Sequence, residues 1–280
     1  STVGFYMLGV RGLHIFPHDR YRLDYTLYFY SFPCKYWGMG YANGDNDDNE
    51  SDMKRWQAQA KASFLFRVAR NTYVGPMLTF DFIQGKDIKR PELLEGMDRT
   101  TRNVGVGLTF AYDSRDVTTN PKRGIYVSLS QNFRPAFLGN RYAFSTTDLR
   151  FNAYRRLWKG GILATDLRSQ LNFGNPSWGM MALLGNSYSM RGYYEGRYRD
   201  RQMVEVQAEL RQHIYNRHGV AVWVGAGNVF PTFGEFNPAH TLPNYGVGYR
   251  WEFKNKVNVR FDYGFGKGEN SFLFSINEAF

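Results

Sequence analysis

Apolar and polar residues alternate one by one along many stretches of the chain. From Val104 the sequence VGVGLTFAYD places Val, Val, Leu, Phe and Tyr on one face and Gly, Gly, Thr, Ala and Asp on the other. From Val257 the sequence VNVRFDYGFG alternates in the same way. Because successive side chains of a β-strand point to opposite faces, each stretch predicts a strand with one apolar and one polar face.

Segments with this pattern follow one another along the whole chain, so the protein is predicted to be all-β. Thirteen segments lie near residues 2–12, 19–32, 54–69, 72–84, 102–114, 124–134, 142–157, 161–174, 201–215, 219–229, 244–253, 256–266 and 271–280. Single-chain bacterial membrane barrels have even strand numbers. The odd count therefore predicts about 12–14 visible strands, or up to 16 if further strands precede Ser1.

Two architectures fit the alternation. A soluble sandwich buries its apolar faces against each other, whereas a transmembrane barrel points them at lipid and lines its lumen with polar groups. The predicted polar faces carry charges of both signs in mid-strand: Lys61, Arg67, Asp81, Asp148, Arg150, Asp166, Arg168, Glu205, Glu209, Arg211, Arg250, Glu252, Arg260 and Asp262. Such charges are typical of a lumen with ion pairs, so the sequence favours a transmembrane antiparallel β-barrel.

Aromatic residues support the same choice. They make up 18% of the chain, which is more than a soluble core requires. Several fall near predicted strand ends, where the aromatic girdles of membrane barrels sit: Tyr21, Trp56, Phe82, Tyr112, Phe133, Tyr245, Trp251 and Phe253. The predicted location is the outer membrane, with its lipid and lipopolysaccharide as partners.

The connections between predicted strands alternate in length. ARNT, LWKG, YNRHG and FKNK are tight turns, which are typical of the periplasmic side. The loops near 33–53, 84–101, 175–200 and 230–243 are long, which is typical of the extracellular side. This alternation places the end of the chain in the periplasm.

The composition argues against several functional classes. A formal charge of +10 indicates an anionic partner, either nucleic acid or a membrane surface. Nucleic acid is disfavoured because the basic residues interleave with acids instead of gathering on one surface. The single cysteine, Cys34, excludes an internal disulfide and a Cys-based zinc site. The five histidines have no ligand or catalytic spacing between them and nothing marks a nucleophile, so we expect neither enzyme activity nor a cofactor.

An acidic run, GDNDDNESD from Gly44 to Asp52, could supply hard oxygen ligands to Ca²⁺. Its spacing lacks the ordered positions of a known calcium loop. The sequence favours a solvated acidic loop, and we assign no metal site.

One connection, DSRDVTTNPKRG, is the longest predicted periplasmic turn. Asn120-Pro121 and Gly124 are expected to build the turn, with Asp113 and Arg115 tying the strand ends together. The turn residues assigned to it are Asp113, Arg115, Asp116, Pro121 and Gly124.

The last segment, SFLFSINEAF, is predicted to be an amphipathic final strand. Phe272, Phe274 and Ile276 lie on one face, and the segment ends in the aromatic Phe280. This arrangement resembles the signal by which bacterial assembly machinery recognises outer-membrane barrels. Glu278 departs from that signal, which usually has an apolar residue there.

The stretch SMRGYYEGRYRD, Ser189 to Asp200, concentrates arginine, tyrosine and glycine in a predicted loop. Its MRGYYEGRYRD part resembles the Val-Arg-Gly-Phe/Tyr loop motif of the BamA/TamA/two-partner-secretion superfamily. The DSRD…NPKRG turn and the five strands after the loop are similar to the C-terminal half of that family. YSFPCKYWGMGY, Tyr30 to Tyr41, resembles a segment of short surface-antigen-like members, especially those of Bacteroidetes.

The resemblance implies a loop that folds back into the lumen and carries the motif Arg191, Gly192 and Tyr193. It implies that Arg191 pairs with acids on the barrel wall, with Glu209 as one of them. The second acid of the family belongs where this chain has Gly225, so Glu205 or Asp262 is expected to substitute. Arg197 and Arg199 are expected to face solvent or lipopolysaccharide phosphates.

Family barrels usually follow periplasmic POTRA domains, and residues 1–280 are interpreted as barrel alone, without a POTRA domain. The function that the resemblance implies is insertion or translocation of polypeptides through a weak seam between the first and last strands. Client proteins and other envelope subunits would then be partners. The alternatives are an accessory or structural barrel of a larger envelope complex and a passive pore.

Overall fold

The computed structural model describes residues 5–254 and 256–280. Within these ranges the strands are β1 (Tyr6–Ile15), β2 (Tyr21–Tyr36), β3 (Ser51–Ala69), β4 (Thr72–Lys86), β5 (Thr100–Asp113), β6 (Gly124–Arg134), β7 (Phe144–Trp158), β8 (Gly161–Gly174), β9 (Ala182–Leu183), β10 (Arg199–Asp200), β11 (Gln202–Tyr215), β12 (His218–Phe230), β13 (Leu242–Lys254), β14 (Val257–Phe265) and β15 (Asn270–Ile276). The connections hold one short α-helix, α1 (Tyr41–Asp45), and 3-10 turns at Pro17–Asp19, Asp47–Asn49, Pro91–Leu94, Ala136–Leu138, Trp178–Met180, Phe233–Glu235 and Pro238–His240. None of these described helices is long and apolar enough to cross a membrane.

In the described part of the chain a single antiparallel sheet of 13 strands forms the wall, in the order β1 to β8 and then β11 to β15. Each wall strand pairs with its neighbour in the chain, and β8 pairs with β11 across a long loop. That loop contains the small hairpin of β9 and β10. The predicted all-β, antiparallel wall is confirmed.

The two ends of the wall differ from the predicted bounds. The first predicted segment, 2–12, is found as β1, and its residues 1–4 lie outside the described part of the chain. The last predicted segment, 271–280, is a strand only as far as Ile276. Residues 277–280 leave the wall, so the prediction of a strand up to Phe280 was wrong.

Contacts across both mouths show that the sheet curls around a lumen. At one mouth, Lys267 Nζ donates to Asp45 Oδ1 at 2.6 Å, joining the β14–β15 connection to the loop after β2. At the other mouth, Thr119 Oγ1 donates to the Lys256 main-chain oxygen at 2.8 Å. Within the described residues no ladder joins β1 to β15, so each keeps a free edge.

The outer face of the wall is apolar and the inner face is polar, as the alternation predicts. Large apolar side chains are exposed on the outside, including Leu78, Leu108, Val222, Val247 and Phe272. Charged and amide side chains are buried inside, and Gln59 Nε2, for example, donates to Asp81 Oδ1 at 2.8 Å. This distribution suits a barrel surrounded by lipid.

Candidate functional site: the lumenal loop and its ion pairs

The loop between β8 and β11, residues 175–201, folds into the lumen. An apolar cluster anchors it, formed by Ala182, Leu184, Met190, Tyr193 and Tyr198 of the loop with Met203, Val229 and Leu242 of the wall. The loop also pairs with itself, because β9 and β10 form an antiparallel hairpin. Burial of these apolar side chains helps to hold the loop inside the lumen.

Arg191 extends from this loop into a group of wall carboxylates and is completely buried. Its Nη2 donates to Glu209 Oε2 at 2.5 Å, and its Nη1 donates to Asp262 Oδ2 at 2.7 Å. The guanidinium carbon lies 3.6 Å from the ring centroid of Trp223. Two charge-assisted hydrogen bonds and a cation–π contact therefore fix the guanidinium on both edges and one face.

The ion pairs of Arg191 belong to a larger network of charges across β11, β13 and β14. Arg211 Nε donates to Glu209 Oε1 at 2.6 Å, and Arg250 Nη1 donates to Asp262 Oδ1 at 2.6 Å. The members of this central charge network are Arg191, Arg211, Arg250, Arg260, Glu209, Asp262 and Glu278. All seven are buried, so each charge depends on the others in place of water.

Glycine at position 192 is explained by close contact between the loop and the wall. Gly192 has φ +125°, which side-chain-bearing residues rarely adopt, and a Cβ there would lie 2.8 Å from the carbonyl carbon of Gly264. A Cβ on Gly264 would in turn lie 2.1 Å from the Arg191 carbonyl oxygen. The Arg-Gly motif therefore needs glycine so that the loop backbone can touch β14 directly.

Tyr193 completes the motif by spanning toward the β14–β15 connection. Its hydroxyl donates to the Pro243 carbonyl at 2.6 Å and accepts from the Lys267 backbone N–H at 2.7 Å. Its ring lies against Gly266, where a Cβ would meet the ring at 2.5 Å. The three motif residues, Arg191, Gly192 and Tyr193, therefore all contact β13, β14 or the β14–β15 connection.

The structure distinguishes between the two proposed substitutes for the second wall acid. Asp262 bonds Arg191 directly, whereas Glu205 accepts a hydrogen bond from the Gly185 backbone N–H at 3.0 Å and contacts Arg168 at 3.3 Å. Gly225 contributes no side chain, and its neighbours leave little room for one: a Cβ would lie 2.8 Å from the Val206 carbonyl oxygen.

Two residues that hold Arg191 were missed in the sequence. Trp223 stacks on its guanidinium, and Asn244 donates from Nδ2 to the Arg191 carbonyl oxygen. Trp223 Nε1 donates to Asn244 Oδ1 at 3.0 Å, which links the two. The sequence did contain a sign of the role of Trp223. Alternation places this residue on the polar face of β12, where a large aromatic ring is unusual.

The expected exposure of Arg197 and Arg199 was wrong. Arg197 donates to Glu269 and Asp47, each at 2.5 Å, and its side chain is only 12% exposed. Arg199 is buried and lies over the Tyr36 ring at 4.6 Å. Arg197 therefore pairs with carboxylates at the mouth of the barrel, and Arg199 is buried against Tyr36 and the Gly196 carbonyl of its own loop.

The acidic run 44–52 supplies carboxylates to these loop contacts. Asp47 bonds Arg197, and Asp45 accepts from Lys267. The hydrogen bond from Lys267 lowers the pKa of Asp45 below its ordinary value. The run therefore pairs, at one mouth of the barrel, with cations of the lumenal loop and the β14–β15 connection.

Hydrogen bonds from its own side chains hold the turn between β5 and β6. Arg115 Nη2 donates to Asp113 Oδ2 at 2.7 Å, and Asp116 Oδ1 accepts from the Val117 and Lys122 backbone N–H groups at 3.0 Å. Gly124 has φ +106°, where a Cβ would lie 2.4 Å from the Ser114 carbonyl oxygen. Pro121 lies buried within the turn.

The end of the chain turns inward after β15. Asn277 has φ +71°, a left-handed conformation that ends the strand. Glu278 accepts from Arg250 Nε at 2.8 Å, and Phe280 packs with Tyr154 and Ala164. Phe272, Phe274 and Ile276 remain exposed on the outer face, but Phe280 is buried and does not share it. Glu278 explains the turn, since its carboxylate joins the central charge network.

The comparisons with known proteins agree with this architecture. The profile of the Omp85 superfamily domain matches residues 14–280. The fold is similar to BamA from Haemophilus ducreyi lacking POTRA domains 1-3, with a TM-score of 0.67 and 12% identity over 96% of this chain and 60% of that one.

The fold is also similar to two CdiB structures. CdiB from Acinetobacter baumannii has a TM-score of 0.61 and 17% identity over 98% of this chain and 50% of that one. CdiB from Escherichia coli has a TM-score of 0.62 and 13% identity over 99% of this chain and 53% of that one. No curated protein matches the sequence.

This chain spans 50–60% of the length of these structures, and at such low identity the likeness concerns the fold. The family profile goes further, because it extends from the end of β1 through the lumenal loop to Phe280. The chain therefore belongs to the Omp85 superfamily and is an integral outer-membrane β-barrel.

Proposed function

We propose that this barrel inserts or translocates polypeptides, without bond chemistry, through an opening between β1 and β15. The observation that carries the proposal is the pair of free strand edges in the described wall. A free edge presents unpaired backbone N–H and C=O groups, which can pair with a strand from another chain. In a lipid environment that pairing is strongly favoured, because water is not available to satisfy those groups.

The side chains of β1 support a strand that exchanges partners. Met7 and Leu8 point to opposite faces of β1, and they are 66% and 77% exposed. A permanent wall strand would carry polar residues on the lumenal side. From Met7 to Val10 β1 is apolar on both faces, and Arg11 is the first charged side chain on the face of Met7. This apolar start suits a strand that moves between the wall and an apolar surface of a client or of lipid.

The lumenal loop supports the proposal by making the neighbouring wall rigid. Arg191 contacts Glu209 of β11, Trp223 of β12 and Asp262 of β14, and Asp262 binds Arg250 of β13. These four strands are braced together. By contrast, β15 has only 7 residues and makes none of the charge-network contacts with its own side chains, so opening is expected at its free edge.

Photo-crosslinking tests the proposed opening. A photoreactive amino acid at Leu8 in β1 should form adducts with an unfolded outer-membrane barrel client during insertion into proteoliposomes. The same amino acid at Leu108 of β5 is the matched control, because Leu108 is also exposed on the outer face, at 61%. Adducts of equal yield at both positions, or client insertion with none at Leu8, would contradict the opening.

We further propose that the acidic run lies outside the cell and the tight turns lie in the periplasm, because the connections alternate in length. In a Cys34→Ser background, Asp48→Cys should react with a membrane-impermeant maleimide on intact cells. Lys159→Cys, in the tight turn after β7, is the control and should react only after the outer membrane is disrupted. The opposite labelling pattern would reverse the orientation.

A further inference from the structure

A cavity of about 320 Å³ lies at the mouth of the barrel formed by the tight turns. The ends of β11, β12 and β13 border it, together with the β5–β6 turn and the inward-turned residues 277–280. Most charged side chains on its lining are cationic: Lys122, Arg156, Arg211, Arg217 and Arg250. Only Glu252 and Glu278 are acidic, so the cavity has an excess of positive charge.

Arg211 forms the inner part of this cavity and is 5% exposed. Its Nε donates to Glu209, and its Nη2 donates to the Phe280 main-chain oxygen at 2.9 Å. Its Nη1 has no hydrogen-bond partner among the described residues. A buried charged donor without a partner is costly, so an acceptor that enters the cavity would be stabilised there.

The outer part of the cavity carries cations without counter-ions. Lys122, Arg156 and Arg217 form no ion pair within the described ranges. Glu252 is already engaged, since its carboxylate accepts from the Lys256 backbone N–H at 2.9 Å. A concave surface with several unpaired charges of one sign attracts ligands of the opposite sign.

The size of the cavity and the Glu278 carboxylate on its lining indicate which anion fits. A volume of about 320 Å³ is roughly ten times that of a water molecule in the liquid, so a lone phosphate would leave much of it empty. On the inner side, a peptide segment of this chain already places the Glu278 carboxylate 2.8 Å from Arg250 Nε and 3.5 Å from Arg211 Nε. We therefore expect these arginines to bind a carboxylate of a peptide.

We propose that this cavity binds an acidic segment of a client polypeptide at the tight-turn mouth of the barrel. The inference rests on the proposed function, since it names the feature by which a client would be recognised before it reaches the opening. The segment's carboxylates would pair with Arg156 and Arg217 and supply the missing acceptor for Arg211.

Binding of fluorescein-labelled hexaglutamate to the purified, detergent-solubilised chain, followed by fluorescence anisotropy, tests the proposal. The Arg156→Gln/Arg217→Gln variant should bind about tenfold more weakly, because two exposed ion pairs of a few-fold each are lost. The matched control is Arg155→Gln/Arg70→Gln, which removes the same charge. Arg155 lies on the opposite face of β7, and Arg70 lies in another turn at the same mouth. This control should bind like the unaltered chain.

Equal affinity in the first variant, or equal binding of labelled hexaglutamine, would overturn the proposal. Displacement of the peptide by inorganic phosphate, but not by sodium chloride of the same ionic strength, would assign the cavity to phosphate and would also overturn it. The assay needs no client insertion. Its failure would therefore leave crosslinking at Leu8 intact, and failure of that crosslinking would leave peptide binding measurable.

Discussion

Replacing Glu209 with glutamine is expected to destabilise the barrel more than replacing Arg191 with methionine. The central charge network contains four arginines and three carboxylates. Glu209→Gln leaves four cations against two carboxylates in a buried site and should cost about 3–5 kcal/mol. Arg191→Met leaves three charges of each sign, and Glu209 and Asp262 still pair with the remaining arginines, so this change should cost less than Glu209→Gln.

The resistance of the folded barrel to heat, measured on semi-native gels, checks this order. Glu92→Gln is a matched control, because Glu92 pairs with Arg90 on the surface, where water screens the two charges. The control should unfold like the unaltered chain. If Arg191→Met proves the more damaging change, the position of the loop governs stability and the charge balance does not.

Deletion of Tyr188–Arg197 is expected to open a conducting path through the barrel. This segment contains the buried residues Met190, Arg191 and Tyr193, which fill the lumen beside β11–β14. A wall of 13 strands lies between small barrels filled by side chains and the larger barrels that enclose channels. Without the loop, the lumen should therefore admit water and ions.

Planar-bilayer recordings measure the effect. The intact chain should show small, flickering currents, and the deletion variant should show steady currents many times larger. Deletion of Phe233–Phe236, exposed residues of a loop that ends at the same mouth, controls for loop shortening and should leave the currents small. Large, steady currents through the intact chain would favour a passive pore.

The wall could be predicted because its side chains face two different environments. Apolar residues face lipid and polar residues face the lumen, so the two kinds alternate along each strand. This local pattern was enough to locate the 13 described wall strands. The pairing of Arg191 with Glu209 required more than alternation. It came from the motif, which indicated that the loop turns inward, together with the inner-face position of Glu209.

Features that depend on distant parts of the chain were not predictable. Arg197 meets Asp47, which lies 150 positions away, and no local pattern records that contact. The inward turn at Asn277 likewise depends on Arg250 being available to Glu278. The local sequence of residues 277–280 gives no clear end to the strand. Only the charge of Glu278 indicates that these residues leave the wall.

The mutual contact of Gly192 and Gly264 has a consequence for the order of assembly. Every wall contact of Arg191 lies later in the chain than the loop, at separations of 18 residues for Glu209 and 71 for Asp262. Loops of this length cost little more to close than shorter ones. The loop can therefore act as a template on which β11 to β14 are laid down in turn. Because the two backbones touch at Gly264, we expect the loop to reach its place before β14 or together with it, and β15 to join the barrel last.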